Sequence, residues 1–190
     1  MRKNICVFCG SRSGNNPIWS TWASSFGGYL ATKQYGLVFG GGAGGLMGSL
    51  AQGSIHAGGK VIGVIPNQLI QQEGLVKELS EVHLVDSLSE RKNLMDQLSD
   101  IYVVLPGGIG TLDEFSEVWT NAQIGYHEKP IILVNWSGYY DKLIDFFDNC
   151  SQNGMMTNKH FSKVHTVHTL EELEQYLESI DQTIGANIAT

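Results

Sequence analysis

Basic clusters are missing from this sequence. Its 12 Lys and Arg are outnumbered by 19 Asp and Glu, for a formal charge of -7. No stretch gathers the cations into the basic face that a duplex or RNA requires, which argues against nucleic acid as a partner. A pocket for one small anion stays open, because backbone N–H groups alone can build it. Cysteine is scarce as well. Cys6, Cys9 and Cys150 make no disulfide framework. The stretch Cys6-Val7-Phe8-Cys9 matches C-x-x-C, but it lies in an apolar run that reads as a strand, where residues i and i+3 point to opposite faces. The two thiols should therefore diverge. No apolar run approaches the roughly 18 residues of a membrane span, and no secretory signal pattern precedes the first apolar run. A cytoplasmic protein that does not meet membranes is expected. The histidines show no H-E-x-x-H or other metal spacing. There is no G-x-S-x-G elbow, no Gly-Lys-Ser/Thr of a Walker loop and no D-x-D cluster. Chemistry that uses neither metal nor bound cofactor is the expectation.

What the sequence does contain is globular. A hydrophobic content of 42% and a charged content of 16% over 190 residues suit one domain with a substantial core. Short apolar runs at Ile5–Cys9, Gly36–Phe39, Lys60–Ile65, Val82–Val85, Ile101–Leu105, Ile131–Asn135 and Val164–Val167 read as strands. Helix-length segments separate most of them: Pro17–Gln34, Leu46–His56, Leu88–Leu98, Thr111–Ile124 and Gly138–Cys150, with Leu170–Ile180 last. Strands and helices alternating through short Gly-rich turns indicate an α/β fold, a doubly wound, mostly parallel Rossmann-like sheet with helices on both faces. Ligands bind such sheets outside the carboxyl ends of the strands, which directs attention to the turns after strands one, two, three and five.

Three motifs fall near those turns. In Phe39–Gly48, Gly40, Gly42 and Gly45 satisfy G-x-G-x-x-G between a strand and a helix. The dinucleotide fingerprint also wants an acid at the end of the next strand, and that strand ends in Pro66 and Asn67. What survives is a backbone approached closely, by a ligand or by the protein itself. In Leu105–Glu114, a strand runs through Pro106-Gly107-Gly108-Ile109-Gly110 into a helix expected at Thr111, a natural phosphate site. Here Glu114 has two readings. With Thr111 it forms a capping box, or with Glu117 and Asn121 it forms a polar flank opposite the apolar stripe Phe115, Val118, Trp119 and Ala122, which fits a cleft wall and a solvated face equally well. In Ser89–Met95, Arg91 and Met95 lie one above the other at i and i+4. Arg91 and Lys92 are either a solvated surface pair or part of the site.

Taken together, the motifs "SERKNLM", "LPGGIGTLDE", "FGGGAGGLMG" and "VFCGSRSG" resemble the LOG family of phosphoribohydrolases, once labelled lysine decarboxylases, from about Lys3 to Leu177. The paired R-K-x-x-M and P-G-G-x-G-T-x-x-E patterns carry the resemblance. It implies a nucleotide-binding domain over 1–181, with 182–190 as a flexible tail. It also implies hydrolysis of the N-glycosidic bond of cytokinin riboside 5'-monophosphates, AMP or both, and a homodimer or higher homo-oligomer. Arg91 and Glu114 would be catalytic. Substrate contacts would come from Ser11, Gly41, Gly42, Gly45, Arg91, Lys92, Met95, Gly107, Gly108, Gly110, Thr111 and Thr120. Glu73 would close over the substrate. Relatives from plants often carry Arg before that acid, where this chain has Gln72, and the preferred base stays open. The surface around Trp119 and Tyr126 is a candidate subunit contact. The rival readings are a nucleotide- or cofactor-binding module without turnover, a pyridoxal-dependent decarboxylase and a DNA-processing relative.

Overall fold

The computed structural model describes residues 3–157 and 162–188. Seven short runs, mostly apolar, become strands that are all parallel: β1 (Asn4–Phe8), β2 (Gly36–Phe39), β3 (Val61–Pro66), β4 (Glu81–Val85), β5 (Ile101–Val104), β6 (Ile131–Val134) and β7 (Val164–Val167). The inner strands are buried on both faces, as a continuous rather than an alternating apolar pattern requires. The strand order is β4-β3-β2-β1-β5-β6-β7. The chain thus winds outward from β1 to β4, then returns to lay β5 on the other side of β1. The loops leaving β1 and β5 part at that switch, and a crevice opens between them.

The connecting helices are α1 (Ile18–Thr32), α2 (Gly45–His56), α3 (Ile70–Glu73), α4 (Leu88–Gln97), α5 (Ile109–Gln123), α6 (Asp141–Gln152) and α7 (Leu170–Ile188). Phe26 and Leu30 of α1, Leu46 and Leu50 of α2, and Leu173 and Leu177 of α7 pack on Ile5, Val7, Leu37 and Phe39 on one side of the sheet. Met95 of α4 and Phe115, Val118 and Trp119 of α5 pack on Cys6, Phe8, Val38 and Tyr102 on the other. Each large side chain buried this way contributes about 1.5–3 kcal/mol. The expected divergence of Cys6 and Cys9 follows from the same alternation: both thiols are buried and free, one in each layer.

Several boundaries differ from the sequence expectation. Helix α5 starts at Ile109, not Thr111, with Gly108 at its N-cap and no side-chain capping bond. The capping-box reading of Glu114 therefore fails: two extra residues of helix carry it past the position from which it could reach back. Helix α6 starts at Asp141, after a 3-10 turn at Trp136–Gly138 in which Ser137 takes φ 55°. The polar stretch after β3 forms a 3-10 turn, Asn67–Leu69, and then α3, neither of which shows an apolar period. Helix α7 runs past Ile180 to Ile188. Its Asp181 pairs with Lys3 and accepts from the Tyr35 hydroxyl, which ties the segment to the start of the chain. Residues 189–190 and His160 lie outside the described residues. Trp119 is 5% exposed and stacks on Phe115, so in this chain it belongs to the core, while Tyr126 is exposed.

Candidate active site at the sheet switch

The two glycine turns have different fates. The Gly40–Gly45 turn is sealed by protein. The N–H groups of Leu46 and Met47, at the start of α2, donate to the Gly10 carbonyl at 3.0 and 3.4 Å. Gly45 takes φ 60°, and a Cβ there would lie 2.4 Å from the Arg12 backbone nitrogen. Only glycine lets the β1 loop lie across this helix end. The Val76 N–H donates to the Gly41 carbonyl and the Ala43 N–H to the Glu73 carbonyl, both at 3.2 Å, which straps the turn from its other side.

The turn after β5 stays open. Helix α5 makes its first internal bond from the Leu112 N–H to the Gly108 carbonyl at 3.1 Å, so the N–H groups just before it have no carbonyl within the helix to meet. A Cβ on Gly108 or Gly110 would touch nothing within 4 Å. The turn itself is braced from behind: the Tyr139 hydroxyl donates to the Gly107 carbonyl at 2.7 Å, the Tyr140 hydroxyl to the Leu105 carbonyl at 2.8 Å, and the Gly10 N–H to the Pro106 carbonyl at 3.0 Å. Unsatisfied donors and the positive helix end make this an anion cradle. It faces a cleft of about 710 Å³, a size suited to a small-molecule ligand.

Glu114 stands four residues after Gly110 on the same face of α5, about 6 Å further along the axis. It lines the same cleft, yet is only 7% exposed. Burial pushes its carboxyl up to about 7, against the pull of the Arg91 guanidinium. Arg91 Nη2 donates to Glu114 Oε1 at 2.5 Å. Ser87 caps α4 by accepting from the Glu90 N–H at 3.1 Å, which sets Arg91 one turn into that helix. Gly40 gives the guanidinium its room, since a Cβ there would lie 2.5 Å from Nη2. Arg91 Nε is buried without a hydrogen-bond partner. Beside this pair, Lys92 bridges Asp113 at 2.9 Å and Glu117 at 2.5 Å. Burial opposes the Lys92 charge, but the Glu117 and Asp113 carboxylates outweigh it and hold the ammonium above its ordinary value.

Of the residues singled out in the sequence, Ser11, Glu73, Arg91, Lys92, Gly107, Gly108, Gly110, Thr111 and Glu114 come together around the cleft. Glu73 Oε2 is buried without a hydrogen-bond partner. Gly41, Gly42 and Gly45 are not among the lining residues. Gly42 supports from behind, where a Cβ would meet Glu73 Oε2 at 3.1 Å. Met95 is in the core at 1% exposure, and Thr120 is exposed on α5 away from the cleft lining. Sequence reasoning missed Arg12, Trp19 and Tyr139, which also line the cleft. Trp19 and Tyr139 meet edge to face at 5.2 Å although they are far apart in the chain. Among the described residues, no three His, Cys, Asp or Glu side chains gather as a metal would require, and no helix is long and apolar enough to cross a membrane.

Residues 47–177 match the family model described as "Possible lysine decarboxylase". The chain is 43% identical over 155 residues to the probable cytokinin riboside 5'-monophosphate phosphoribohydrolase LOG4 of Oryza sativa subsp. japonica, covering 81% of this chain and 67% of the relative. To the cytokinin riboside 5'-monophosphate phosphoribohydrolase LOG7 of Arabidopsis thaliana it is 39% identical over 179 residues, covering 94% and 82%. The chain belongs to the LOG family. Solved structures extend the likeness of fold. The molybdenum cofactor binding protein of Rippkaea orientalis aligns with TM-score 0.71 at 23% identity over 95% of this chain and 98% of that one. The molybdenum cofactor carrier protein of Chlamydomonas reinhardtii does so with TM-score 0.71 at 21% identity over 94% and 98%. At these identities the likeness to the two molybdenum cofactor proteins is one of architecture.

The lysine-decarboxylase description can be tested on the residues present. A pyridoxal-dependent decarboxylase needs a lysine that can shed its proton and form a Schiff base. Lys92 is the one lysine lining the cleft among the described residues, and its two carboxylates hold it protonated. The site does not fit that cofactor.

Proposed function

We propose that this chain is a phosphoribohydrolase that cleaves the N-glycosidic bond of nucleoside 5'-monophosphates, cytokinin ribosides or AMP, to free base and ribose 5-phosphate. One observation carries the reading. A buried carboxyl, raised to about 7, stands about 6 Å along the helix axis from an open anion cradle on the same helix. The phosphate rests on the N–H groups at the start of α5, and the ribose spans the distance to Glu114. Phosphate and carboxylate repel little with the sugar between them. As the bond from C1' to the base nitrogen breaks, its electron pair leaves with the base, which takes a proton, and the sugar becomes oxocarbenium-like. Glu114 stabilises that positive charge and orients the attacking water, whose proton it accepts. A base with a pKa near 7 is matched to such a transfer at neutral pH. Arg91 fixes the carboxylate and keeps part of it ionised despite burial.

A homodimer or larger homo-oligomer in the cytoplasm belongs to the same reading, with the exposed Ile124 and Tyr126 at the end of α5 as surface for a subunit contact. The test of function is chromatographic detection of free base after incubation with AMP and, separately, with a cytokinin riboside 5'-monophosphate. Release of base from at least one is expected. Binding of both with release from neither would leave a nucleotide-binding module instead.

A further inference from the structure

Charge accounting around the cleft singles out a residue that the sequence reading gave no role. Three cationic side chains line it: Arg12, Arg91 and Lys92. Arg91 is committed to Glu114, and Lys92 to Asp113 and Glu117. A phosphate monoester entering the cradle brings nearly two negative charges, and the charges of Arg91 and Lys92 are already balanced by carboxylates. Arg12 is different. Its side chain is exposed at the cleft, and among the described residues it makes no ion pair or side-chain hydrogen bond. Its backbone, by contrast, is anchored. Gly45 packs beneath the Ser11–Arg12 peptide, the Gly10 N–H bonds the Pro106 carbonyl, and Gly14, at φ 72°, lies against the Trp19 ring. The loop after β1 thereby holds an uncommitted guanidinium at the rim of the cleft that the α5 cradle faces.

We infer that Arg12 is the counter-charge for the substrate's 5'-phosphate and the residue that makes the enzyme select nucleotides over nucleosides. This rests on the function proposed above. Backbone N–H groups fix where the phosphate sits, and the guanidinium at the exposed rim supplies the charge they lack. Because Arg12 acts on the phosphate equally before and during bond cleavage, its loss acts on KM rather than kcat. Being solvent-exposed, its contribution is screened by salt.

The experiment compares wild type, Arg12→Ala and Arg12→Lys in calorimetric binding of ribose 5-phosphate at low salt, and in nucleotide turnover. Removing one charge-assisted contact should weaken ribose 5-phosphate binding and raise KM by about tenfold or more, with kcat within about threefold and thermal melting unchanged. Arg12→Lys should recover most of the loss, and added salt should shrink the difference. A change below about threefold in binding and KM, or an Arg12→Lys variant as weak as Arg12→Ala, would overturn the assignment. A wild type that binds ribose 5-phosphate through Arg12 but releases no base would sink the proposed activity and leave Arg12 only as the counter-charge of a bound phosphate.

Discussion

Gly110 offers a direct separation of stability from function. It is the second residue of α5, a Cβ there would touch nothing within 4 Å, and its φ is one that any residue adopts. The protein's own packing therefore gives no reason for glycine. Glycine in a helix interior costs about 1 kcal/mol relative to alanine, and roughly half of that is expected in the first turn. Gly110→Ala should stabilise the fold by about 0.5 kcal/mol, which for a domain of this size raises Tm by about 1–2 °C. The same methyl intrudes on the anion cradle. If it displaces one phosphate oxygen from its backbone donor, a charge-assisted hydrogen bond worth about 1.5–3 kcal/mol is lost, and KM for the nucleotide should rise by roughly 10–100-fold. Melting by circular dichroism and steady-state kinetics on the same preparation read both. A lower Tm would refute the packing argument, and an unchanged KM would refute the placing of the phosphate at α5.

Two other outcomes follow from the buried pair. With Glu114 raised to about 7, activity should climb on the acid side with an apparent pKa near 7, as the carboxyl ionises. Its effect on stability has the opposite sign: the folded carboxyl holds its proton over a range where the unfolded one, near 4.5, has lost it, so this group's contribution is full below about 4.5 and is lost as pH rises through 7. Glu114→Gln should flatten that part of the stability–pH curve, and an unaltered curve would speak against the raised carboxyl. Arg91→Ala leaves that carboxylate buried and unpaired, at a cost of up to about 3–5 kcal/mol, and should move the acid limb of the pH–rate profile upward while lowering the rate. A pH–rate profile like that of wild type would mean that Arg91 does not hold Glu114.

Much of this was legible in the sequence, and what was not has physical causes. The strand runs, and the helices between them, follow from periodicity and Gly-rich turns, which is why the inner strands fall within one residue of expectation. Helix α3 escaped because Asn67–Glu73 has no apolar face to betray it. The start of α5 was misjudged because Thr111 and Glu114 have the spacing of a capping box, whereas Gly108 occupies the N-cap without any side-chain bond. Glu114 was singled out in the sequence and lies buried at the cleft, but its partner Arg91 lies on another helix, a relation that spacing along the chain cannot carry. Nor could glycine content tell the sealed turn from the open one. That difference is set by the Gly10 carbonyl, which takes the α2 donors, and by the sheet order that brings the β1 loop beside β5. Arg12, Trp19 and Tyr139 reach the cleft through the same topology, and nothing in their local sequence marks them as site residues.

The central claim is that Glu114 does chemistry at the sugar end of a nucleotide whose phosphate rests on the same helix. Its most direct test is the stoichiometric appearance of base and ribose 5-phosphate from a nucleoside 5'-monophosphate, wild type against Glu114→Gln. The substitution keeps the side-chain shape and an acceptor for Arg91. The account predicts equal release of both products by wild type and a loss of about 10²–10³-fold or more in kcat for the variant, with nucleotide binding retained. Turnover by Glu114→Gln at the wild-type rate would contradict it.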